Sequence, residues 1–296
     1  MLKHGSASEQ GPARVVVMGA GGFVGASICR KLEARGVEVL RLGRNEVDLF
    51  SDGAAQKLAG YLKPDDAFVA VSAVAPVKNT EMLRDNIVMI EAMAEALQQQ
   101  PVAHVLNIGS DAVFADSKGP LSEASCRAAA SVHGIMHLTR EVVLGEAVGD
   151  APFATLRPTL IYGADDPHNG YGPNRFLRLV RKGETIKLFG EGEERRDHVW
   201  VEDVGELAAR ILMHRSSGSL NATTGEVISF REIAETVNAI AGHPVEIVGS
   251  PRSGPMPHDG YRPFDPSATK AAFPDFSYMS PKDGFARVQA ELNEAR

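Results

Sequence analysis

Val15-Val16-Val17-Met18-Gly19-Ala20-Gly21-Gly22-Phe23-Val24-Gly25 runs an apolar strand into closely spaced glycines and then into a helix. That order describes a dinucleotide-binding turn. Backbone approaches a pyrophosphate closely only where no Cβ intervenes, and free N–H groups at the start of the following helix are oriented to receive the anion. Gly19, Gly22 and Gly25 are spaced GxxGxxG, whereas GxGxxG requires glycine where Val24 stands. Phe23 and Val24 open the helix and join the three glycines as cofactor-side candidates.

Outward from this turn, strand-like and helix-like segments alternate as far as residue 160. The pattern predicts strands at Arg14 to Met18, Val37 to Leu42, Ala67 to Val71, Val102 to Ile108 and Phe153 to Leu156. Helices are expected at Phe23 to Arg35, Ala54 to Leu62, Thr80 to Gln99 and about Ala124 to Ala147. Such alternation implies an α/β, doubly wound parallel sheet of the Rossmann type. Beyond Gly163 the texture turns to Pro167, Gly170, Gly172 and Pro173 loops, and Gly249 to Pro266 is rich in proline. This reads as a smaller substrate-binding lobe interleaved with the first. The expected division is residues 14–163 and 195–222 for the dinucleotide-binding domain and 164–194 and 223–296 for the lobe. Residues 1–13, polar and small, are expected to be a flexible tail. A strand at His198 to Val201 and a helix at Val204 to His214 are expected within the second of these dinucleotide-binding stretches, so the two lobes interleave in sequence.

Composition narrows the function. The 296 residues, 44% of them hydrophobic, suffice for a sizeable core, and a formal charge of −7 argues against nucleic acid or an anionic membrane as partner. Cys29 and Cys126 form no CxxC pair, no long apolar leader precedes the first strand, and no run is long enough to span a bilayer. A reduced, cytoplasmic compartment is the simplest expectation. The helix Thr80 to Gln99 carries one apolar stripe of Leu83, Ile87, Ile90, Ala94 and Leu97 and another of Met82, Met89, Met93 and Ala96. A helix apolar on two faces is buried on two sides, and a homodimer would supply the second.

Three further segments, with the glycine turn, resemble the extended short-chain dehydrogenase/reductase family of nucleotide-sugar epimerases, dehydratases and reductases. Asn86-Ile87-Val88 looks like the family's helix asparagine. Ile108-Gly109-Ser110-Asp111-Ala112-Val113-Phe114 is similar to the strand end that supplies a catalytic Ser or Thr, in the form found in 4-keto-sugar nucleotide reductases. Leu156-Arg157-Pro158-Thr159-Leu160-Ile161-Tyr162-Gly163 and Arg196 through Val204 resemble two landmarks that follow the sheet. The resemblance covers Arg14 to Val288.

The second strand ends Leu40-Arg41-Leu42-Gly43-Arg44, with no acid before Glu46. An acid there would bind a ribose 2′-OH, and an arginine accepts a 2′-phosphate, so Arg41 and Arg44 favour NADP(H), with NAD(H) the alternative. The resemblance places Asp48 and Leu49 near the adenine, and Ala73 and Pro158 along the rest of the cofactor. It also implies Asn174, Arg196 and Arg262 as contacts to a nucleotide-sugar substrate, with the arginines on its diphosphate.

The family works through a Tyr-x-x-x-Lys pair, and here the segment Ser131-Val132-His133-Gly134-Ile135-Met136-His137 sets His133 and His137 in those positions. Imidazole titrates near ~6.5, against ~10 for a phenol, so it can give and take a proton at neutrality without a neighbouring ammonium. The expectation is that His133 protonates or deprotonates the reacting sugar oxygen, Ser110 shares that hydrogen bond, Asp111 is an auxiliary acid and His137 bonds the nicotinamide ribose. The whole reads as an NADP(H)-dependent oxidoreductase or epimerase most like a 4-keto-sugar reductase. A 4-epimerase and a silent binder of the same ligands are the alternatives. No metal is expected, because the His133 and His137 spacing lacks an accompanying glutamate and the other histidines show no ligand spacing.

Overall fold

The computed structural model describes residues 1–294. The first half alternates strand and helix: β1 (Arg14–Met18), α1 (Phe23–Glu33), β2 (Glu38–Leu42), α2 (Ala54–Ala59), β3 (Ala67–Ala70), α3 (Thr80–Gln99), β4 (His104–Ile108), α4 (Val132–Ala147) and β5 (Phe153–Pro158). There follow β6 (Leu160–Tyr162), α5 (Pro173–Lys182), β7 (Ile186–Phe189), β8 (Arg195–Trp200), α6 (Val201–Met213), β9 (Gly218–Ala222) and β10 (Val227–Ser229). The chain closes with α7 (Phe230–Ala241), β11 (Ile247–Ser250), β12 (Tyr261–Arg262), α8 (Ser267–Ala272) and α9 (Pro281–Glu294).

Six parallel strands form the main sheet in the order β2-β1-β3-β4-β5-β9. Strand order reverses beside β1, so a crevice opens at the carboxyl ends of β1 and β3, where open α/β sheets bind ligands. Both faces are covered. Val15 and Val17 face a core with Ile28 and Leu32 of α1 and Leu207 and Ile211 of α6. Val16 and Met18, alternating with them, face Leu58 of α2 and Met93 and Leu97 of α3. The two-residue period of a strand thus divides one apolar run between two cores. A third core, with Phe176, Leu177, Ile186, Phe230, Val237 and Phe285, belongs to the smaller lobe.

The structure redraws several expected boundaries. Residues 124–131 are not helical; α4 starts at Val132, where Ser131 Oγ accepts from Gly134 N at 3.0 Å. The preceding alanines lose to tertiary contacts such as Ala115 N donating to the Cys126 carbonyl. Strands β6 and β8 pair with each other, and β8 also with β10 and β12, so residues 160–162 and 195–200 belong to the small sheet. Only α6 and β9 return to the main one. Ala268, Ala272, Phe276 and Tyr278 also pack back onto the main core, so the lobe does not claim all of 223–296. Residues 1–13 are docked: Lys3 bridges Ser217 in an antiparallel pair, and His4 bonds Ser216 Oγ at 2.8 Å and the Ala272 carbonyl at 2.9 Å.

Candidate active site

The glycine turn has the steric form that the spacing demands. Gly19 takes φ +102°, and a Cβ there would stand 2.7 Å from Ser72 N; a Cβ on Gly25 would stand 2.1 Å from the Gly19 carbonyl oxygen. The turn therefore lies against both β3's continuation and the first turn of α1. Gly22 is the N-cap of α1, with no side-chain cap and no acid in the first turn. A cradle that a Cβ would fill, at an uncapped helix start, fits a dinucleotide pyrophosphate. Phe23 points across to the second lobe, its ring standing 2.9 Å from where a Gly163 Cβ would be.

At the end of β2 the two arginines differ. Arg41 is held bidentate by Glu33 at 2.9 and 2.8 Å, a partner on α1 that the local reading of the strand end missed. Arg44 is 76% exposed, 3.4 Å from Asp48 and over the Phe50 ring at 5.6 Å. The Glu46 carboxylate folds back to accept from Gly43 N at 2.8 Å. Of the pair, Arg44 is the more exposed and the more loosely held. Asp48 accepts from Phe50 N at 3.1 Å, and Leu49 is buried.

Two buried side chains hold the segment that follows β3. Asn86 accepts from Val74 N at 3.0 Å and donates to the Val74 carbonyl at 2.9 Å, while Arg140 of α4 donates to the Ser72 carbonyl at 2.9 Å and to that of Ala70. Ala73 lies between these anchors. Burial pulls the Arg140 guanidinium down to about 10, so it remains a cation at neutral pH. Sequence reasoning missed Arg140; its only local signal is an arginine on a helix face otherwise buried.

Ser110 caps a short turn over Asp111–Val113, accepting from Ala112 N at 3.2 Å with Asp111 Oδ1 at 3.4 Å. A Cβ on Gly134 would stand 2.1 Å from the Ala112 carbonyl oxygen, so that glycine lets α4 begin directly against this turn and delivers the adjacent His133 to it. His133 Nδ1 faces Val77 N at 3.4 Å. Burial pushes its pKa below the ordinary histidine value, and the Asp111 carboxylate draws it back up. His137 meets the His133 ring edge to face at 4.7 Å. Burial, with His133 and Arg140 nearby, holds His137 well below the usual range, and its Nδ1 has no partner. It is a neutral ring, not a substitute cation. Among the described residues no three His, Cys, Asp or Glu side chains converge as metal ligands. One turn on, Glu141 grips Arg157 at 2.7 and 2.8 Å in the buried interior, tying α4 to β5, whose last residue is Pro158.

The substrate-side candidates are already engaged. Asn174 staples α5 to β6, its Oδ1 accepting from Gly163 N at 3.0 Å. Arg196, 12% exposed, lies 3.3 Å from Glu194. Arg262, 2% exposed, reaches Asp111 Oδ2 at 3.3 Å, the Asp111 carbonyl at 2.9 Å, the Phe114 carbonyl at 3.2 Å and Asp116 Oδ1 at 2.5 Å. Asp111 thus stands between Ser110 and Arg262, an ion-pair partner of the latter. Asp116 and His258, which bond each other beside Arg262, carried no signal in the sequence.

The profile of the NAD dependent epimerase/dehydratase family matches residues 15–223. The chain is 28% identical over 272 residues to a dTDP-4-dehydro-6-deoxy-D-allose reductase of Streptomyces bikiniensis, covering 79% of this chain and 82% of the relative. It is 24% identical to the GDP-L-fucose synthase of Escherichia coli, covering 79% and 83%. In structure it is similar to a UDP-glucose 4-epimerase of Thermus thermophilus solved with NAD, with a TM-score of 0.81, 23% identity and coverage of 96% and 100%. With a parallel sheet wound on both faces, the glycine cradle at its switch point and a family match across most of its length, the chain belongs to the NAD dependent epimerase/dehydratase family, the extended short-chain dehydrogenase/reductases.

Proposed function

We propose that the protein is an NADP(H)-dependent reductase of a 4-keto nucleotide sugar, in which His133 gives the proton to the sugar oxygen. The observation that carries this reading is the delivery of His133 by α4 against the Ser110–Asp111 turn that follows β4. The reductase among the relatives and the exposure of Arg44 support the direction and the cofactor. When bound, the dinucleotide supplies hydride to the carbonyl carbon. The carbonyl oxygen takes its proton from His133, Ser110 Oγ donates a hydrogen bond to the same oxygen, and Asp111 favours the imidazolium that must be present beforehand. Arg140 and Asn86 fix the segment through Ala73, which would hold the nicotinamide half of the dinucleotide. Arg196 and Arg262 meet the substrate diphosphate, and Asn174 shapes the lobe that covers it.

Val88 on α3 and Ile135 and Val142 on α4 are exposed apolar residues, and these packed helices are the surface through which two copies pair. No helix of the described residues is long and apolar enough to cross a membrane, and both cysteines are free, which supports the cytoplasmic reading.

NADPH oxidation with a panel of 4-keto nucleotide sugars tests the reaction, and His133→Ala is expected to slow it by about 10²–10⁴. The acid form of a histidine whose pKa is lowered is lost at a pH below the ordinary value. The rate of reduction therefore falls through a point under ~6.5 as pH rises, and the reverse oxidation gains over the same range. Epimer interconversion without net NADPH loss would replace the reductase by an epimerase. Cofactor binding without turnover, unaltered by His133→Tyr with His137→Lys, would leave a binding protein.

A further inference from the structure

Asp116 stands on the loop between β4 and α4, yet its carboxylate is committed to the other lobe. Oδ1 accepts from Arg262 Nη1 at 2.5 Å and from His258 Nδ1, which itself lies 3.1 Å from Arg262 Nη1. Arg196, two strand positions from the buried His198, adds a second guanidinium close enough to act on Asp116 through space. Partial burial opposes the charge on Asp116, but His258, Arg262 and Arg196 together hold its carboxyl below the usual range.

The two sides of this contact are built differently. Arg262 is fixed by the Asp111 and Phe114 carbonyls and belongs to β12, which is paired with β8 at Arg196. His258 is presented by a tight curve in which His258, Asp259 and Gly260 all have φ between 51° and 80°. Two consecutive non-glycine residues in that region cost on the order of 1–2 kcal/mol each, so the curve is held by its surroundings. The two arginines and the His258 ring are built into the lobe, whereas Asp116 is 56% exposed and stands on a loop. Glu194 and Asp111, the other carboxylates on Arg196 and Arg262, are both buried.

We propose that Asp116 is an internal counter-anion that occupies the phosphate-binding groups Arg196, His258 and Arg262 in the free protein and gives them up to the diphosphate of an incoming nucleotide sugar. The substrate class rests on the function proposed above; the exchange is a property of these four side chains. A displaceable carboxylate raises the affinity threshold for every anion and favours ligands with more than one phosphate charge, because only these recover more than they displace.

Calorimetric titration of the full chain and of Asp116→Asn with UDP, dTDP and GDP, at low and at moderate ionic strength, tests the exchange. Asparagine keeps an acceptor for Arg262 and removes the charge. The variant is expected to bind the preferred nucleoside diphosphate about three- to tenfold more tightly at low salt, with the gain shrinking as salt rises, and to bind NADP(H) as the parent does. If the parent binds a diphosphate and the variant binds it equally or more weakly, the exchange is wrong and Asp116 is a structural tie, while the proposed function stands. If neither protein binds any of the three although both bind NADP(H), the substrate class is wrong and the exchange falls with it.

Discussion

The two ends of the crevice are made of different materials. At the glycine turn the protein offers backbone: Gly19 at φ +102°, Gly25 pressed on the Gly19 carbonyl, and a helix start with no side-chain cap. At the far end it offers charge, with Arg262 reaching two carboxylates and two carbonyls drawn from residues 111 to 116. The spacing of the turn's glycines answers chiefly to neighbours a few residues away, as Gly25 does to the Gly19 carbonyl. A charge network depends on partners about 150 positions distant in the chain, as the separation of Arg262 from Asp111 illustrates. The cofactor end is consequently ready before any ligand arrives, and the substrate end must first release its own counter-ions.

Breaking each end should separate the two. Arg262→Met removes a buried cation from two carboxylates and two carbonyls, one of the carboxylates (Asp111) itself buried, and is expected to cost about 3 kcal/mol in denaturant unfolding. Its NADP(H) affinity should change little; a large loss there would show that the two ends are one structure. Gly25→Ala forces α1 away from the turn and should cost about 1–3 kcal/mol while weakening NADP(H) binding. Gly21→Ala, whose Cβ meets nothing within 4 Å, should stay within about 0.5 kcal/mol of the parent, and equal damage from both would remove the steric account of the turn. The smallest effect is the sharpest for cofactor choice. Arg44→Ala should raise the Kd for NADPH about tenfold and leave that for NADH unchanged, while Arg41→Ala, already paired with Glu33, should do less.

The catalytic centre falls between these ends in legibility. His133 and Ser110 are readable from short motifs, and α4 does bring His133 to the turn that Ser110 caps. Gly134 is the physical reason, since any side chain there would strike the Ala112 carbonyl. Arg140 and the Glu141–Arg157 pair were not legible, because a charged residue on a helix looks solvated until the fold shows that it is buried. The same blindness led Arg41 and Arg262 to be read as free cations. Each had a partner that no local window contains.

By itself the sequence determined the alternation of strand and helix, the doubly wound sheet and the cofactor turn, because glycine spacing and apolar periodicity act within a few residues. Tertiary structure alone decided where the lobes divide, which arginines are paired, and that Asp116 and His258 meet at Arg262. Burial, ion pairing and the path of a docked terminus depend on which distant segments meet, and a chain settles that only by folding.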